Sequence, residues 1–415
     1  MKKCVSLVAA LLLALTALPS AEAAFVIGGE NGWQFSTDGI VDVFATYRTT
    51  SPAPAGDRFI SLIGDNDQNF EVRVGLLPSV VAFNVKAPTV NGVDSAVRVG
   101  IYPSIQNKSE ASRFDTSPNI DFRELYYTAK GRYGELLAGR ALNLYQGKNI
   151  LTDMTLLTAG VVPVSGTATT LGHIGYGYLY TNFGPQIRYT TPDLNGVKVA
   201  LSVNEPYKVS SFTAKTNVPR IESEISYATV FNGGYTFQAW LSGLVQTATR
   251  STTFVDANKV TQITPRPGAH NKSLGGAAGA EVGFKGIDLL ASGYYGEGLG
   301  MISAQDGDLF GSSSTDGAGN ERTHWGFLTQ ATYMLTPTVK VGANYGQTRQ
   351  DKTDFDRTAG AFIPMKKQEA AVAMVAYNFN KFTQFIAEYT YAQNTWHDGA
   401  TQHSNSLALG TMFYW

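Results

Sequence analysis

Apolar and polar residues alternate with a period of two along most of this chain. In the stretch GVKVALSVN, one parity carries Val197, Val199, Leu201 and Val203, and the other carries Lys198, Ala200, Ser202 and Asn204. Successive side chains of a β-strand point to opposite faces, so this pattern predicts strands with one apolar and one polar face. Helical spacing of three and four residues is almost nowhere sustained. The predicted fold class is all-β.

About sixteen alternating stretches divide the chain from residue 33 onward. Their predicted bounds are 33–49, 69–87, 95–103, 120–130, 135–142, 184–191, 197–205, 220–231, 235–248, 274–285, 287–298, 324–335, 338–349, 368–379, 382–393 and 404–415. An even number of antiparallel strands brings both ends of the series to the same side, so the first strand can pair with the last. A bulge is expected near Pro78, where the alternation of apolar and polar residues changes register within the long second stretch.

Two classes of connection join these predicted strands. Tight connections lie at 131–134, 192–196, 232–234, 285–286, 336–337 and 380–381, whereas 206–219, 250–273, 299–323 and 350–367 are long and polar. Short turns at one end and long loops at the other are typical of transmembrane β-barrels. The sequence therefore predicts a closed antiparallel barrel that spans a membrane, since a soluble sandwich would carry long loops at both ends.

Aromatic residues recur next to the short turns, at the alternating positions that carry the apolar side chains. The predicted membrane girdle comprises Trp33, Tyr189, Tyr227, Phe284, Tyr333, Tyr377, Phe413 and Trp415. Rings at one height on the outside of a barrel are typical of a membrane interface. The chain ends on such a strand, SNSLALGTMFYW, so we expect this strand to close the barrel against the first one.

The first 23 residues have a different character. Two lysines precede an apolar run over residues 5–18, and the sequence AEA at 21–23 is typical of a signal-peptide cleavage site. We predict a signal peptide that is removed after Ala23. A retained anchor is the alternative, although the run is short for a spanning helix. The only cysteine, Cys4, would leave with this leader.

The remaining part, residues 24–415, is nearly neutral. Removing residues 1–23 leaves 30 of the 32 basic and 32 of the 33 acidic side chains, and charged residues make up 16% of the whole sequence. Nucleic-acid binding calls for a basic patch and is not expected. No later stretch is apolar enough for a helical span. We expect a bacterial outer-membrane protein in contact with lipid and lipopolysaccharide, without a cofactor or metal.

Two stretches, FRELYYTAKGRYGELLAGR and PQIRYTTPDLNGVKVALSV, resemble the trimeric porins of Gram-negative outer membranes. The matching positions are Arg123, Tyr133-Gly134, Gly139-Arg140, Arg188-Tyr189 and Pro192. Thr128-Ala129 and Leu194 depart from the family pattern, which has Gly-Leu and an aromatic residue there. GYYGEGLG, residues 293–300, is similar to the DcaP-like branch, which is associated with small dicarboxylates. The resemblance implies a homotrimer of sixteen-stranded channels with no enzymatic activity.

Residues 143–183 are apolar and glycine-rich, which is unusual for a loop in water. In porins the third loop folds into the barrel and narrows the channel, and this segment is similar in position and length. The resemblance therefore implies an inward-folded constriction loop, in which Lys148 and Asp153 are the charges of the main body. A lid over the mouth or a contact between subunits is the alternative.

Five basic residues are expected to line the pore, namely Arg73, Arg98, Arg140, Arg188 and Lys198. Alternation places Arg98 and Arg188 on the inner face, with Arg73 beside them. Alternation from Leu136 points Arg140 outward, so its place in the pore requires a bulge at Gly139. Cations in a narrow passage would favour small anions. Alternatively, the arginines pair with Asp42, Glu71 or Glu124 and brace the wall.

The predicted function is passive diffusion of small hydrophilic solutes, with a preference for anions such as small carboxylates. A substrate-specific channel of eighteen strands is one alternative. An outer-membrane hydrolase is another, although the sequence contains no Gly-x-Ser-x-Gly elbow. Residues 65–69 and 305–321 carry oxygen ligands as calcium loops do, but neither has the full spacing with a closing Glu, which favours solvated loops.

Overall fold

The computed structural model describes residues 25–59, 61–107, 120–207, 212–255, 259–304, 314–358 and 362–415. The predicted signal peptide, residues 1–23, lies outside these ranges. Sixteen barrel strands, β1 to β16, follow one another along the chain. Their bounds are β1 Gln34–Thr50, β2 Gln68–Arg73 continued by Val80–Lys86, β3 Asp94–Pro103, β4 Ile120–Gly131, β5 Gly134–Leu142, β6 Phe183–Thr190, β7 Val197–Asn204, β8 Arg220–Phe231, β9 Tyr235–Arg250, β10 His270–Phe284, β11 Ile287–Glu297, β12 Thr323–Thr336, β13 Val339–Gln350, β14 Met365–Asn378, β15 Thr383–Trp396 and β16 Thr401–Tyr414.

The sixteen strands form one closed antiparallel sheet. The last strand, β16, pairs with β1 from Ile40↔Tyr414 to Thr50↔Ser404. Closure leaves no open sheet edge, which hydrocarbon would not tolerate. The predicted all-β barrel of sixteen strands is therefore confirmed, and the eighteen-stranded alternative is wrong. The largest error in a strand boundary is at β10, which begins at His270 rather than at residue 274.

The barrel wall is apolar outside and polar inside. On β7, Val199, Leu201 and Val203 are exposed, whereas Ala200 and Ser202 on the opposite parity are buried. A soluble sheet buries its apolar face, so this arrangement is the reverse of a soluble fold. It matches the apolar-out, polar-in alternation of barrels that span membranes.

Short turns and long connections lie at opposite ends of the barrel. At the short-turn end, β10 and β11 are joined by Lys285 and Gly286 alone, both with positive φ (49° and 83°), as a type I′ hairpin requires. At the other end the longest connection runs from residue 143 to residue 182, while 397–400 is a tight turn. Among the described residues, no helix is long and apolar enough to cross a membrane.

The predicted girdle residues lie on the outer face, near the short turns. Trp33, Tyr189, Tyr333, Tyr377 and Phe413 are exposed, and Tyr227, Phe284 and Trp415 are partly exposed. Neighbouring rings extend this set. Tyr235 stacks on Phe284 with ring centroids 3.8 Å apart, and Phe382 packs against Phe413 at 6.3 Å.

The predicted irregularity near Pro78 is a wide break in β2. The two segments of β2 both pair with β1, but residues 74–79 of β2 stand opposite residues 41–43 of β1, six against three. Instead of continuing the ladder, Leu76 and Leu77 donate backbone hydrogen bonds to the carbonyls of Thr158 and Leu156. The break is therefore a docking point for the long connection between β5 and β6.

Candidate functional site

Residues 143–182, the infolded segment, lie inside the barrel. They contain a short helix α1, Gly147–Thr152, followed by a 3-10 turn, Met154–Leu157. Ile150 and Tyr178 are buried against inward side chains of the wall, among them Trp240, Leu290 and Leu328. The apolar residues that would be unfavourable in water are thus covered by the inner wall.

Inward polar side chains of the wall bind the backbone of the infolded segment. Glu388 on β15 accepts a hydrogen bond from the Gly160 amide at 2.6 Å and another from the Thr158 hydroxyl. Gln330 on β12 accepts from the Met154 amide at 2.6 Å and donates to the Thr152 carbonyl at 3.2 Å. These bonds pair backbone groups that an irregular segment would otherwise leave unsatisfied.

Asp153 holds the infolded segment together rather than facing solute. Its carboxylate is 3% exposed and accepts hydrogen bonds from the Thr155 amide at 2.9 Å, the Tyr178 hydroxyl at 2.7 Å and the Asn344 amide at 3.1 Å. Asp153 lies in the infolded segment, and both of its carboxylate oxygens accept hydrogen bonds from protein partners.

Arg73 likewise anchors the infolded segment. It is fully buried, pairs with Glu71 at 2.7 Å and donates to the carbonyls of Thr167 at 3.1 Å and Thr169 at 2.8 Å. Its predicted place on the pore surface is therefore wrong. The alternative, that Glu71 neutralises this arginine and the pair braces the wall, describes it correctly.

The infolded segment covers one side of the barrel. From Leu144 to Tyr178, its hydrogen bonds to barrel strands fall on β8, β9, β12, β13, β15, β1 and β2. Within the described ranges, none of these bonds reaches the inner faces of β3 to β7. On β8, the infolded segment makes its contact at Glu222. We call the inner face of β3–β7, together with the part of β8 between Glu222 and the short turn, the uncovered wall.

Arg98 on the uncovered wall is surrounded by carboxylates. Its guanidinium binds Asp38 through two nitrogens, at 2.8 and 3.0 Å, and its Nε donates to Glu124 at 2.8 Å. It also donates to Asn84 at 3.1 Å, and the Tyr102 hydroxyl donates to Glu124 at 2.7 Å. Arg98 faces inward as predicted, but one cation and two carboxylates form a cluster with a formal charge of −1.

Arg188 is the less neutralised arginine of the uncovered wall. It donates one hydrogen bond, to the Leu142 carbonyl at 3.3 Å, and its buried Nε has no partner among the described residues. Glu135 and Glu224 are close enough to interact with it electrostatically, and Glu224 also interacts with Lys148 on α1. Lys148 is partly exposed. Arg188 also interacts with Glu222, and Lys148 also interacts with Glu281, so carboxylates outnumber the two cations around the space between α1 and the uncovered wall.

The other two predicted basic residues lie at the rims. Lys198 shares the inner parity of Ala200 and lies 3.9 Å from Asp193 in the β6–β7 turn. Arg140 is exposed, stands opposite the exposed Leu125, and donates to the Phe183 carbonyl at 2.6 Å. No register shift occurs at Gly139, so the predicted bulge is absent and Arg140 remains on the outward parity. It lies near the end of β5, where an outward arginine costs little.

Other connections narrow the long-loop end of the barrel. Residues 51–67 meet the infolded segment where Val164 donates to the Leu62 carbonyl at 2.8 Å. The connection after β11 meets it where Tyr180 donates to the Ile302 carbonyl at 2.8 Å. Asp67 in the first of these connections pairs with Arg48 at 2.6 Å, and Asp65 accepts from the Ala53 amide. One carboxylate oxygen of Asp65 and one of Asp67 thus bind protein partners.

Several side chains that fasten the infolded segment were not predicted. Glu388, Gln330 and Glu222 lie on the inner parity of their strands, and Glu222 accepts from the amides of Leu144 and Tyr145 at 2.8 and 3.1 Å. The presence of an ionisable residue inside a membrane-spanning strand could have identified Glu388 and Glu222, because placing such a residue there costs free energy and usually has a functional reason. Alternation alone does not distinguish an anchor from a pore charge.

The closed sheet, its apolar outer band and the segment packed inside define a transmembrane β-barrel of the channel-forming type. A family model described as Gram-negative porin matches residues 8–398. The chain belongs to the Gram-negative porin family, whose members are channels of the outer membrane and not enzymes. The hydrolase alternative is therefore wrong, and the predicted location in the outer membrane is confirmed.

Solved structures show the same fold at low identity. DcaP, an outer-membrane channel of Acinetobacter baumannii, is 16% identical with a TM-score of 0.67, over 94% of this chain and 100% of that chain. An anion-selective porin from Comamonas acidovorans is 13% identical with a TM-score of 0.59, over 92% and 100%. OmpT of Vibrio cholerae, solved also in a trimer form, is 12% identical with a TM-score of 0.54, over 93% and 100%. A comparison with curated protein sequences finds no significant match.

Proposed function

We propose that small hydrophilic solutes diffuse passively between the infolded segment and the uncovered wall. The observation that carries this proposal is the one-sided docking of the infolded segment, whose hydrogen bonds between Leu144 and Tyr178 leave the inner faces of β3–β7 free. In this role the infolded segment is the constriction of the channel. A lid over the mouth would instead need contacts with the ends of the strands alone.

We propose a mild preference for anions, including small carboxylates. The supporting charges are Arg188 and Lys148, which face the passage from opposite sides. Glu135 and Glu224 oppose them, and Arg98 is neutralised by its own carboxylates. Charges in a narrow passage act through a low-dielectric surrounding, but this mixed field gives a weaker preference than a ring of free arginines would. The anion-selective porin from Comamonas acidovorans supports this direction through the shared fold.

We also propose a homotrimer and a cleaved leader. The trimer form of OmpT supports the former, and the small outward residues Ala278, Ala371 and Ala373 would allow close contact between barrels or with lipid. The mass of the protein isolated from outer membranes tests the latter, since cleavage after Ala23 leaves 392 of the 415 residues. Lipopolysaccharide is the proposed lipid neighbour at the long-loop end.

The reversal potential in a planar bilayer under a potassium chloride gradient tests the charge proposal. We expect a chloride-to-potassium permeability ratio above one and at most about tenfold, which corresponds to about 1.4 kcal/mol. Arg188→Ala combined with Lys148→Ala should lower it below one, whereas Lys285→Ala, in an exterior turn, should not change it. Cation preference in the wild-type channel, or no response to the double substitution, would overturn the assignment.

A further inference from the structure

A second set of polar groups faces a cavity behind the infolded segment, away from the uncovered wall. The cavity lies between residues 151–158 and the inner faces of β10 and β12–β15. Its wall includes Glu281, Lys340 and Thr332, on the half of the barrel that ends in the short turns. Gln330 and Thr158, which help to fasten the infolded segment, also line this cavity.

One side of this cavity is apolar. Leu151, Leu156 and Leu157 come from the infolded segment, and Met374 comes from the facing strand β14. Covering this apolar surface by the apolar arm of a ligand would be favourable by about 25 cal/mol for each Å² removed from water. The flexible side chain of Met374 can adapt to small apolar groups of varied shape.

The other side carries opposite charges. Lys340 on β13 has no hydrogen-bond partner among the described residues, and it interacts electrostatically with Glu281 and Asp288. Glu281 accepts a hydrogen bond from the Gln238 amide, and Asp288 accepts one from Thr332 at 3.4 Å. A partly buried ammonium group with no donor bond made is available to an acceptor on a ligand.

We propose that this cavity is a binding subsite for a small zwitterion with an apolar arm, that is, an apolar α-amino acid. Lys340 would bind the carboxylate, Glu281 would bind the ammonium group, and the leucines with Met374 would cover the arm. The inference rests on the proposed diffusion function, because the ligand must enter through the channel. It assigns a solute class that a pore selecting only small anions would not favour.

Saturation of L-leucine flux into channel-containing liposomes tests the subsite. We expect leucine flux to saturate and to be inhibited by leucine analogues according to the groups they retain. Isocaproate lacks the ammonium group, isoamylamine lacks the carboxylate and glycine lacks the arm, so each should inhibit about tenfold more weakly than leucine. Linear leucine flux at all concentrations would overturn the proposal.

Substitutions separate the subsite from the channel itself. Lys340→Met should raise the half-saturating leucine concentration about tenfold while isoamylamine inhibition stays unchanged. Glu281→Gln should weaken leucine and isoamylamine but leave isocaproate unchanged. Lys285→Met, in the exterior turn between β10 and β11, is the control and should change none of these values.

Two measurements keep the outcomes distinct. Potassium chloride conductance and arabinose flux report an intact channel in every variant, and their loss in the wild-type protein would overturn the diffusion proposal rather than the subsite. Unchanged leucine saturation in both Lys340→Met and Glu281→Gln, with conductance intact, would overturn the subsite alone. If Lys340→Met does not assemble, the Glu281→Gln pattern decides.

Discussion

The carboxylate of Glu388, on β15, accepts a hydrogen bond from the backbone amide of Gly160 at 2.6 Å, across 228 residues of sequence. The same side chain binds the Thr158 hydroxyl and is 2% exposed. A carboxyl group in the barrel wall thus holds the infolded segment inside the barrel. We expect the width of the proposed passage to depend on such anchors rather than on the short helix of the infolded segment.

Replacing this anchor should loosen the constriction. Glu388→Ala leaves the Gly160 amide and the Thr158 hydroxyl without their buried acceptor, which costs about 1–3 kcal/mol for each group. We expect single-channel recordings to show a larger and noisier conductance than the wild type. Glu369→Ala, which removes an acid from the outer face of the neighbouring strand, should leave the conductance unchanged. A quiet wild-type conductance in Glu388→Ala would show that this anchor does not set the width.

The closing seam of the barrel should be sensitive to the residue at position 39. Trp415 and Gly39 exchange backbone hydrogen bonds at 3.1 and 3.2 Å, and a Cβ at Gly39 would lie 2.3 Å from the indole and 2.5 Å from the Val80 carbonyl oxygen. We expect Gly39→Ala to destabilise the folded barrel by about 1–3 kcal/mol. Heat-dependent mobility on gels after urea titration measures this.

Gly276 provides the matched control for that seam. It lies in β10, and a Cβ there would meet nothing within 4 Å. Gly276→Ala should therefore leave the unfolding midpoint unchanged. Equal midpoints for the two alanine variants would refute the proposed packing of Trp415 over Gly39.

The cluster around Arg98 should respond strongly to loss of its cation. Arg98→Ala leaves Asp38 and Glu124 facing each other without their shared partner, changing the cluster's formal charge from −1 to −2. We expect the reversal potential to move toward cation preference. Lys285→Ala removes a cation from the exterior turn between β10 and β11, so it should not change the reversal potential. An unchanged or more anion-selective Arg98→Ala channel would contradict the inward position of the cluster.

An ion pair between two external connections should make the mouth sensitive to acid. Arg58 binds Asp398 at 2.7 Å, and this hydrogen bond lowers the pKa of Asp398 from 3.8 to about 2. A lowered carboxyl pKa means that the stabilisation is present above pH 4 and is lost as the pH falls through about 2. Arg58→Ala should raise the Asp398 pKa toward 3.8.

Carboxyl titration by NMR in detergent micelles, with Asp398→Asn to assign the signal, measures that change. Limited proteolysis at neutral pH adds a structural readout, because residues 51–67 should be cut faster in Arg58→Ala. A pKa that stays near 2 in Arg58→Ala would exclude the ion pair as the cause.

The strand order and the apolar outer face could be predicted from sequence because the alternation within each strand identifies its two faces. On β7 the alternation of Val199 and Ala200 reports its two faces without reference to other strands. Turn residues such as Gly286 mark the hairpins in the same local way. The barrel follows from these local signals together with the requirement that no sheet edge be left open.

The neutralisation of the inward arginines could not be predicted, because alternation within one strand does not show which side chains of other strands lie beside them. Arg73 and Arg98 face inward as the pattern says, yet Glu71, Asp38 and Glu124 neutralise them. The family resemblance implies that Arg140 lies in the pore, although alternation points it outward. In the structure it faces outward, as alternation predicts. A parity count gives the face of a residue, but only the register shows which partner reaches it.

Cysteine accessibility tests the position of the passage most directly. The only native cysteine, Cys4, lies in the predicted leader, so Lys148→Cys introduces a single thiol beside the uncovered wall. We predict that a sulfonate-bearing methanethiosulfonate reagent reduces the ion current of Lys148→Cys channels stepwise. The same reagent should not affect wild-type channels or Ala278→Cys, on the lipid-facing side. Full current after modification of Lys148→Cys, verified by mass, would contradict a passage between the infolded segment and β3–β8.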